Sequence, residues 1–266
     1  MTDYTTRAHV RLRTIAAVLA LAASSGCGGN RSGIPANTGN PDRYLFDRGT
    51  EALKDGKWLN ARDYFRQVVD NYPQSPVRSD AKLGVGDGFL GEKSAESLVL
   101  AANEYREFLT FYPTNPRADY AQYKLAMSHF LQMRAPERDQ TETAAALREF
   151  QAFFDRYPNS PLVPEVRLKW REARDRLSEA EFLVGFHYFR VRWYPGAVPR
   201  FRGLLKDDPE FSGKDGVYFY LAESLARTDK NGKAEAIPYF ERLLTEYGQS
   251  EHAEEAKKRL EELKAQ

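Results

Sequence analysis

The sequence has little of what site chemistry usually requires. It holds one cysteine in 266 residues, which excludes an intramolecular disulfide and any zinc centre built from several thiolates. It has no charge of one sign to spare: 39 Lys and Arg face 38 Asp and Glu, a formal +1, so no general electrostatic drive toward nucleic acid exists. It has no long hydrophobic run, and a mean hydropathy of −0.63 excludes a polytopic membrane protein. The histidines, His9, His129, His187 and His252, are scattered. No His-Glu-x-x-His run and no Gly-x-Ser-x-Gly elbow occurs. Gly84, Gly86 and Gly88 alternate, but Phe89 stands where a dinucleotide loop needs its third glycine. The expectation is a protein without catalysis, cofactor or bound metal.

What is present is enough apolar material to fold, with 42% hydrophobic and 13% aromatic residues. The N-terminus is organised differently from the rest. Residues 1–13 carry Arg7, Arg11 and Arg13 against Asp3, and an apolar run from Ile15 to Ala23 follows. A basic start, a short apolar run and small residues read as a secretory signal over 1–26. The run is about half the length of a bilayer-spanning helix, so cleavage is expected rather than retention. Ser24, Ser25 and Gly26 before Cys27 resemble the lipoprotein box, in which the cysteine becomes lipidated; Ser24 departs from the leucine usual there. Residues 27–40, rich in Gly, Asn, Ser and Pro, suit a flexible tether between anchor and body.

Beyond residue 40 one spacing recurs. A small residue is followed by an aromatic four on, an apolar residue seven on, and a helix stop twelve on. The copies are Ala61, Phe65, Val68, Pro73; Ala101, Tyr105, Phe108, Pro113; Ala146, Phe150, Phe153, Pro158; Ala197, Phe201, Leu204, Pro209; and Ala236, Phe240, Leu243, Gly248. Offsets of 0, 4 and 7 lie on one helical stripe and Pro or Gly ends the helix. The pattern resembles the second helix of a tetratricopeptide repeat. It predicts an all-α superhelical solenoid of about five helix pairs over 41–266. Second helices fall near 58–72, 95–112, 141–157, 195–207 and 233–247, and a polar capping helix lies in 250–266.

First helices are signalled by Gly49, Gly185 and Tyr188, by Tyr123, Ala126, Met127 and Phe130, and by Tyr218, Leu221, Ala222 and Leu225. The first helix of the second copy lies somewhere in 79–90. Copies are 40, 45, 51 and 39 residues apart, longer than the minimal 34 of the motif. The excess is assigned to turns at 91–97, 134–141 and 228–232. Residues 162–177 either extend the next helix or form one of their own. Ser178 with Glu181 reads as a capping box or as a solvated mid-helix serine.

Stacked helix pairs build extended binding faces on their first helices. Register places Phe46, Thr50 and Leu53 of the first copy, and Lys124 and Ser128 of the third, on that face. Tyr120 and Tyr123 either line it or belong to the core. Phe186, His187, Tyr188 and Phe189, followed by Arg190, Arg192, Trp193 and Tyr194, exceed what one stripe can bury and stand between interface and internal packing. Glu137, Arg138 and Asp139 read as a solvated loop with a helix cap or as a partner salt bridge.

A lipoprotein signal followed by five such repeats resembles the BamD family, lipoproteins of the outer-membrane β-barrel assembly machine. The strings that carry the likeness are Tyr112 through Pro116 leading to Asp119, Tyr120 and Tyr123, then Arg138-Asp139, then Tyr157 through Ser160. Glu181 to Tyr188, Arg192 and Ala197-Val198 with Arg200 add to it. The resemblance implies a non-catalytic scaffold and receptor on the periplasmic face of the outer membrane. Its implied partners are the periplasmic domains of the assembly barrel protein, other assembly lipoproteins and unfolded barrel substrates. The rival function is a periplasmic tether or cell-division coordinator built from the same repeats.

Overall fold

The computed structural model describes residues 34, 38–228 and 230–265, so the expected signal and Cys27 lie outside the described residues. The chain divides into residues 1–41 and a helical body from Asp42 onward. Among the described residues there are eleven helices and no strand. They are α1 (Pro41–Lys54), α2 (Trp58–Asn71), α3 (Arg78–Glu92), α4 (Ala95–Phe111), α5 (Ala118–Phe130), α6 (Thr141–Arg156), α7 (Val163–Arg190), α8 (Tyr194–Asp207), α9 (Lys214–Ala226), α10 (Lys230–Glu246) and α11 (Ala253–Lys264). From α2 to α11 each packs chiefly on its neighbours in the chain, and α1 meets α2 through Phe46 and Phe65, which is the connectivity of a solenoid of helix pairs.

The recurring spacing is the packing code of the even-numbered helices. Ala61, Ala101, Ala146, Ala197 and Ala236 are fully buried, and so are Tyr105, Phe150, Phe201 and Phe240, with Phe65 close behind. A methyl at the crossing lets helices approach, and each buried ring contributes about 1.5–3 kcal/mol by leaving water. The stop is equally regular. Tyr72, Tyr112, Tyr157, Asp208 and Tyr247 each donate a last backbone N–H to the apolar residue four back, and Pro or Gly follows.

Glycines on odd-numbered helices face those rings. A Cβ at Gly49 or Gly84 would stand 2.8 or 2.5 Å from the Phe65 ring, and one at Gly185 would stand 2.7 Å from Phe201. Phe65 therefore sits between its own repeat and the next one, touching both through glycine backbone.

A second device joins successive repeats and was not visible in the apolar pattern. An aspartate early in an odd helix accepts the hydroxyl of the serine that opens the following inter-repeat turn. The pairs are Ser75 to Asp42, Ser160 to Asp119 and Ser250 to Asp215, each 2.6 Å. Each serine oxygen also accepts a backbone N–H two residues on, so one hydroxyl fixes the turn and its neighbour repeat together. The Ser75 hydroxyl, with the Arg43 backbone, holds the Asp42 carboxyl below the usual carboxylate range.

Three expectations need correction. The excess at 91–97 is helix, because α3 runs to Glu92 and α4 starts at Ala95, leaving Lys93 in the left-handed region and Ser94 capping Ser97 N–H at 3.1 Å. The last turn is likewise short, since α10 already includes 230–232. Ser178 is neither a cap nor solvated. It is 2% exposed inside the 28-residue helix α7 and donates to Asp208 at 2.5 Å.

Candidate partner-binding site

The face offered by the odd helices is one half-buried stripe per helix. On α1 it is Phe46, Thr50 and Leu53; on α5 it is Tyr120, Lys124 and Met127; on α7 it is Phe182, Phe186 and Phe189. Each set keeps i, i+4, i+7 spacing, the mark of a single face. Ser128 falls one position beyond the stripe and is completely buried, donating to the Lys124 carbonyl at 2.9 Å. One residue along a helix turns a side chain by about 100°, which is why the expectation for Ser128 fails while Lys124 holds its place on the stripe.

Phe46 and Thr50 are spoken for locally. Phe46 lies 5.6 Å from the Phe65 ring, and Thr50 donates to the Phe46 carbonyl at 2.9 Å. Tyr123 is core: it is 4% exposed, and its hydroxyl donates to Glu165 at 2.7 Å, tying α5 to α7. Burial, then the bond to Glu165, pushes its phenol up. Its ring cannot line a groove.

Tyr120 is half-buried and belongs to a polar knot. Its hydroxyl donates to Asp87 Oδ1 at 2.8 Å, and Tyr105 donates to the same oxygen at 2.6 Å. Asp87 sits half-buried on α3, and desolvation raises its carboxyl above the ordinary range although both phenols bond its charged form. Arg117 lies over the Tyr120 ring at 4.6 Å and Lys124 at 5.3 Å. The α3–α5 part of the face is thus an aromatic ring between two cations above a sequestered carboxylate. Tyr120→Phe removes one of two donors to that carboxylate and is expected to cost about 1.5–3 kcal/mol. Urea unfolding of the variant against the parent checks this, with a loss under about 0.5 kcal/mol counting against the knot.

Arg138 and Asp139 occupy the long turn between α5 and α6. Asp139 Oδ1 accepts from Thr141 N–H at 3.2 Å and from its hydroxyl at 2.8 Å, capping α6. Arg138 is exposed and has no ion pair among the described residues.

At the C-terminal end of α7 the aromatic run splits. Phe182, Phe186 and Phe189 pack around Tyr220 of α9 at 5.9, 4.8 and 5.0 Å between ring centroids. These rings are half-buried, packed on one another and on α9. Arg192 takes a left-handed backbone with φ 61°, turning the chain so that Trp193 N–H bonds the Tyr188 carbonyl at 2.9 Å. The Trp193 ring meets Tyr188 edge-on at 4.9 Å and remains 55% exposed, beside Val191 at 57% and Val184 at 39%. Arg190 and Arg192 are exposed at the same end. This is an apolar patch with a basic rim, and only its Tyr188, Arg190, Arg192 and Trp193 members were legible as candidates.

Sequence reasoning missed the buried ionic groups. Arg62 is 7% exposed, bonding the Gly88 carbonyl at 3.1 Å and Glu92 at 2.6 Å. Glu223 is 1% exposed between Arg259 at 2.6 Å and Arg227 at 2.5 Å. Nothing in a single sequence separates such charges from surface ones, since the same letters serve both.

The fold and these faces define a helix-pair repeat protein built to present binding surfaces. The chain matches the YfiO family, described as outer membrane lipoprotein, over residues 38–226. It is 30% identical over 223 residues to the outer membrane protein assembly factor BamD of Caulobacter vibrioides, covering 83% of this chain and 72% of that protein. It is 24% identical over 211 residues to the BamD of Vibrio cholerae, covering 76% and 85% respectively. The chain belongs to this family, that of the BamD assembly factors. Among solved structures a MamA protein aligns at a TM-score of 0.35 and 16% identity, over 78% of this chain and 92% of that one.

Proposed function

We propose that the chain is a non-catalytic scaffold of outer-membrane protein assembly, held at the periplasmic face of the outer membrane by acylation of Cys27. Its C-terminal repeats bind the periplasmic domains of the barrel-forming assembly protein and neighbouring assembly lipoproteins. Its N-terminal repeats receive unfolded barrel substrates. Family membership and the names of its relatives support the assembly role.

The observation that carries the scaffold reading is the patch at the end of α7. Val191 and Trp193 are more than half exposed beside Arg190 and Arg192, and Trp with Arg at an apolar centre is the composition of an interface hot spot. The stripe on α5, with the half-buried Tyr120 ring beside Lys124, suits an extended segment that alternates apolar and polar side chains.

The test is capture from solubilised membranes with the tagged full chain. Recovery of a barrel protein with periplasmic repeats supports the proposal, and recovery of division or cell-wall proteins alone overturns it. Trp193→Ala is expected to cut that recovery at least tenfold, about 1.4 kcal/mol or more of binding. Cys27→Ala is expected to move the protein from the membrane to the soluble fraction, because acyl chains contribute about 0.8 kcal/mol per buried methylene. Retention on membranes stripped of partners sinks the anchor.

A further inference from the structure

The 51-residue step between the third and fourth copies produces a cleft that no motif announced. Helix α7 has 28 residues where α5 and α9 have 13. The extra turns stand between α6 and α8 and leave one side of α7 open between them. Two adjoining cavities of about 380 and 630 Å3 lie along this side and share Gln151, Arg167 and Trp170 as walls.

The first cavity is apolar, floored by Phe154, Val163 and Trp170. Its one charged wall is Arg167, which is exposed and has only the Phe154 ring, at 5.8 Å. Arg148, exposed with no ion pair among the described residues, lines the adjoining second cavity. Arg171 continues the row, but it is already bonded to Asp208 and Asp175. The acids of the cleft all line the second cavity. Asp208 is consumed by Arg171 and Ser178, and Asp207 and Glu210 are exposed. The cleft therefore carries two free guanidiniums, Arg167 on the wall shared by both cavities and Arg148 in the second.

We propose that this cleft is a docking site for an extended acidic segment of a partner protein, with one aromatic side chain in the apolar cavity and flanking carboxylates on Arg148 and Arg167. Guanidinium and carboxylate pair in a planar, two-bond geometry, and the aromatic supplies buried area that ions alone do not. The arrangement disfavours a basic segment and gives no reason to prefer a neutral one.

The experiment uses the full chain in detergent micelles. The probe is a dye-labelled peptide of about eight residues with a central phenylalanine flanked by aspartates and glutamates. Anisotropy titration should show saturable binding that weakens with salt. It should weaken at least tenfold when the acids become amides, when the phenylalanine becomes alanine, and in the R148E/R167E protein. Both arginines are exposed, so that variant should melt at the parent's temperature by circular dichroism, and the loss then reports the cleft. Absence of saturation up to about 1 mM overturns the proposal, as does binding indifferent to R148E/R167E. Arginine-dependent binding of phosphatidylglycerol vesicles without competition by the peptide makes the cleft a membrane contact and also overturns it. Failure here leaves the assembly role standing, since that is read by capture at the α7 end.

Discussion

Asp208→Asn should lower the unfolding free energy by about 3–5 kcal/mol, the cost of breaking a buried ion pair from one side. The Asp208 side chain is 3% exposed and takes both Arg171 terminal nitrogens, at 2.8 and 2.5 Å, together with the Ser178 hydroxyl at 2.5 Å. An amide of the same shape cannot accept all three, and it leaves Arg171 with Asp175 in α7 and the exposed Glu210 at 4.0 Å. Because repeats interact through nearest neighbours, the damage should concentrate where α7 meets α8 and α9. Urea unfolding gives the size, and hydrogen exchange gives the place. A loss below about 1 kcal/mol would mean that the pair behaves as a surface one.

The pH dependence follows from the same carboxyl. Burial opposes its ionisation, but the bonds from Arg171 and Ser178 and the charges of Arg171 and Arg174 outweigh that and hold it below the usual carboxylate range. A depressed folded value means the stabilisation is present above the unfolded carboxyl value of 3.8 and fades as pH falls through the folded one. Parent and Asp208→Asn stabilities should accordingly differ most at neutral pH and converge in acid.

The second large effect is expected at Phe65, where replacement by alanine should cost about 3–5 kcal/mol in lost transfer energy and cavity. Gly84 makes the argument specific. A methyl there would stand 2.5 Å from the ring, so Gly84→Ala alone sets about 1 kcal/mol of improved helix propensity against about 1–3 kcal/mol of overpacking. With the ring gone the clash disappears and the propensity remains. Gly84→Ala should therefore be neutral or harmful in the parent and stabilising in the Phe65→Ala background. A double-mutant cycle in urea measures this coupling, and simple additivity of the two changes would show that the ring does not rest on that glycine.

Much of the fold was legible because its period is carried by apolar residues. Ala61 and its four counterparts, the rings four on and the stop twelve on decide both the helix and its buried side, and burial leaves few alternatives. The odd helices were harder to read. On α9 ten of thirteen residues are buried, so no amphipathic stripe marks its boundaries, and α3 hid among glycines that serve to receive rings. Register was the weak point of the candidate faces. Lys124 and Ser128 are four apart, yet one is on the stripe and the other is inside, because Met127 rather than Ser128 continues from Tyr120 and Lys124. Tyr123 was undecidable in sequence, since a tyrosine in the core and one in a groove differ only by where the hydroxyl finds Glu165. The ionic knots at Asp87, Asp208 and Glu223 left no trace, because each takes a partner from 18 to 37 residues away.

The rings around Tyr220 have a consequence for any chain threaded along the odd helices from the N-terminal end. Past α5 the path meets Phe182, Phe186 and Phe189, whose faces are already taken by α9. A segment laid on the α1 and α5 stripes and one held at Trp193 would therefore touch different residues, with rings that are already paired standing between them.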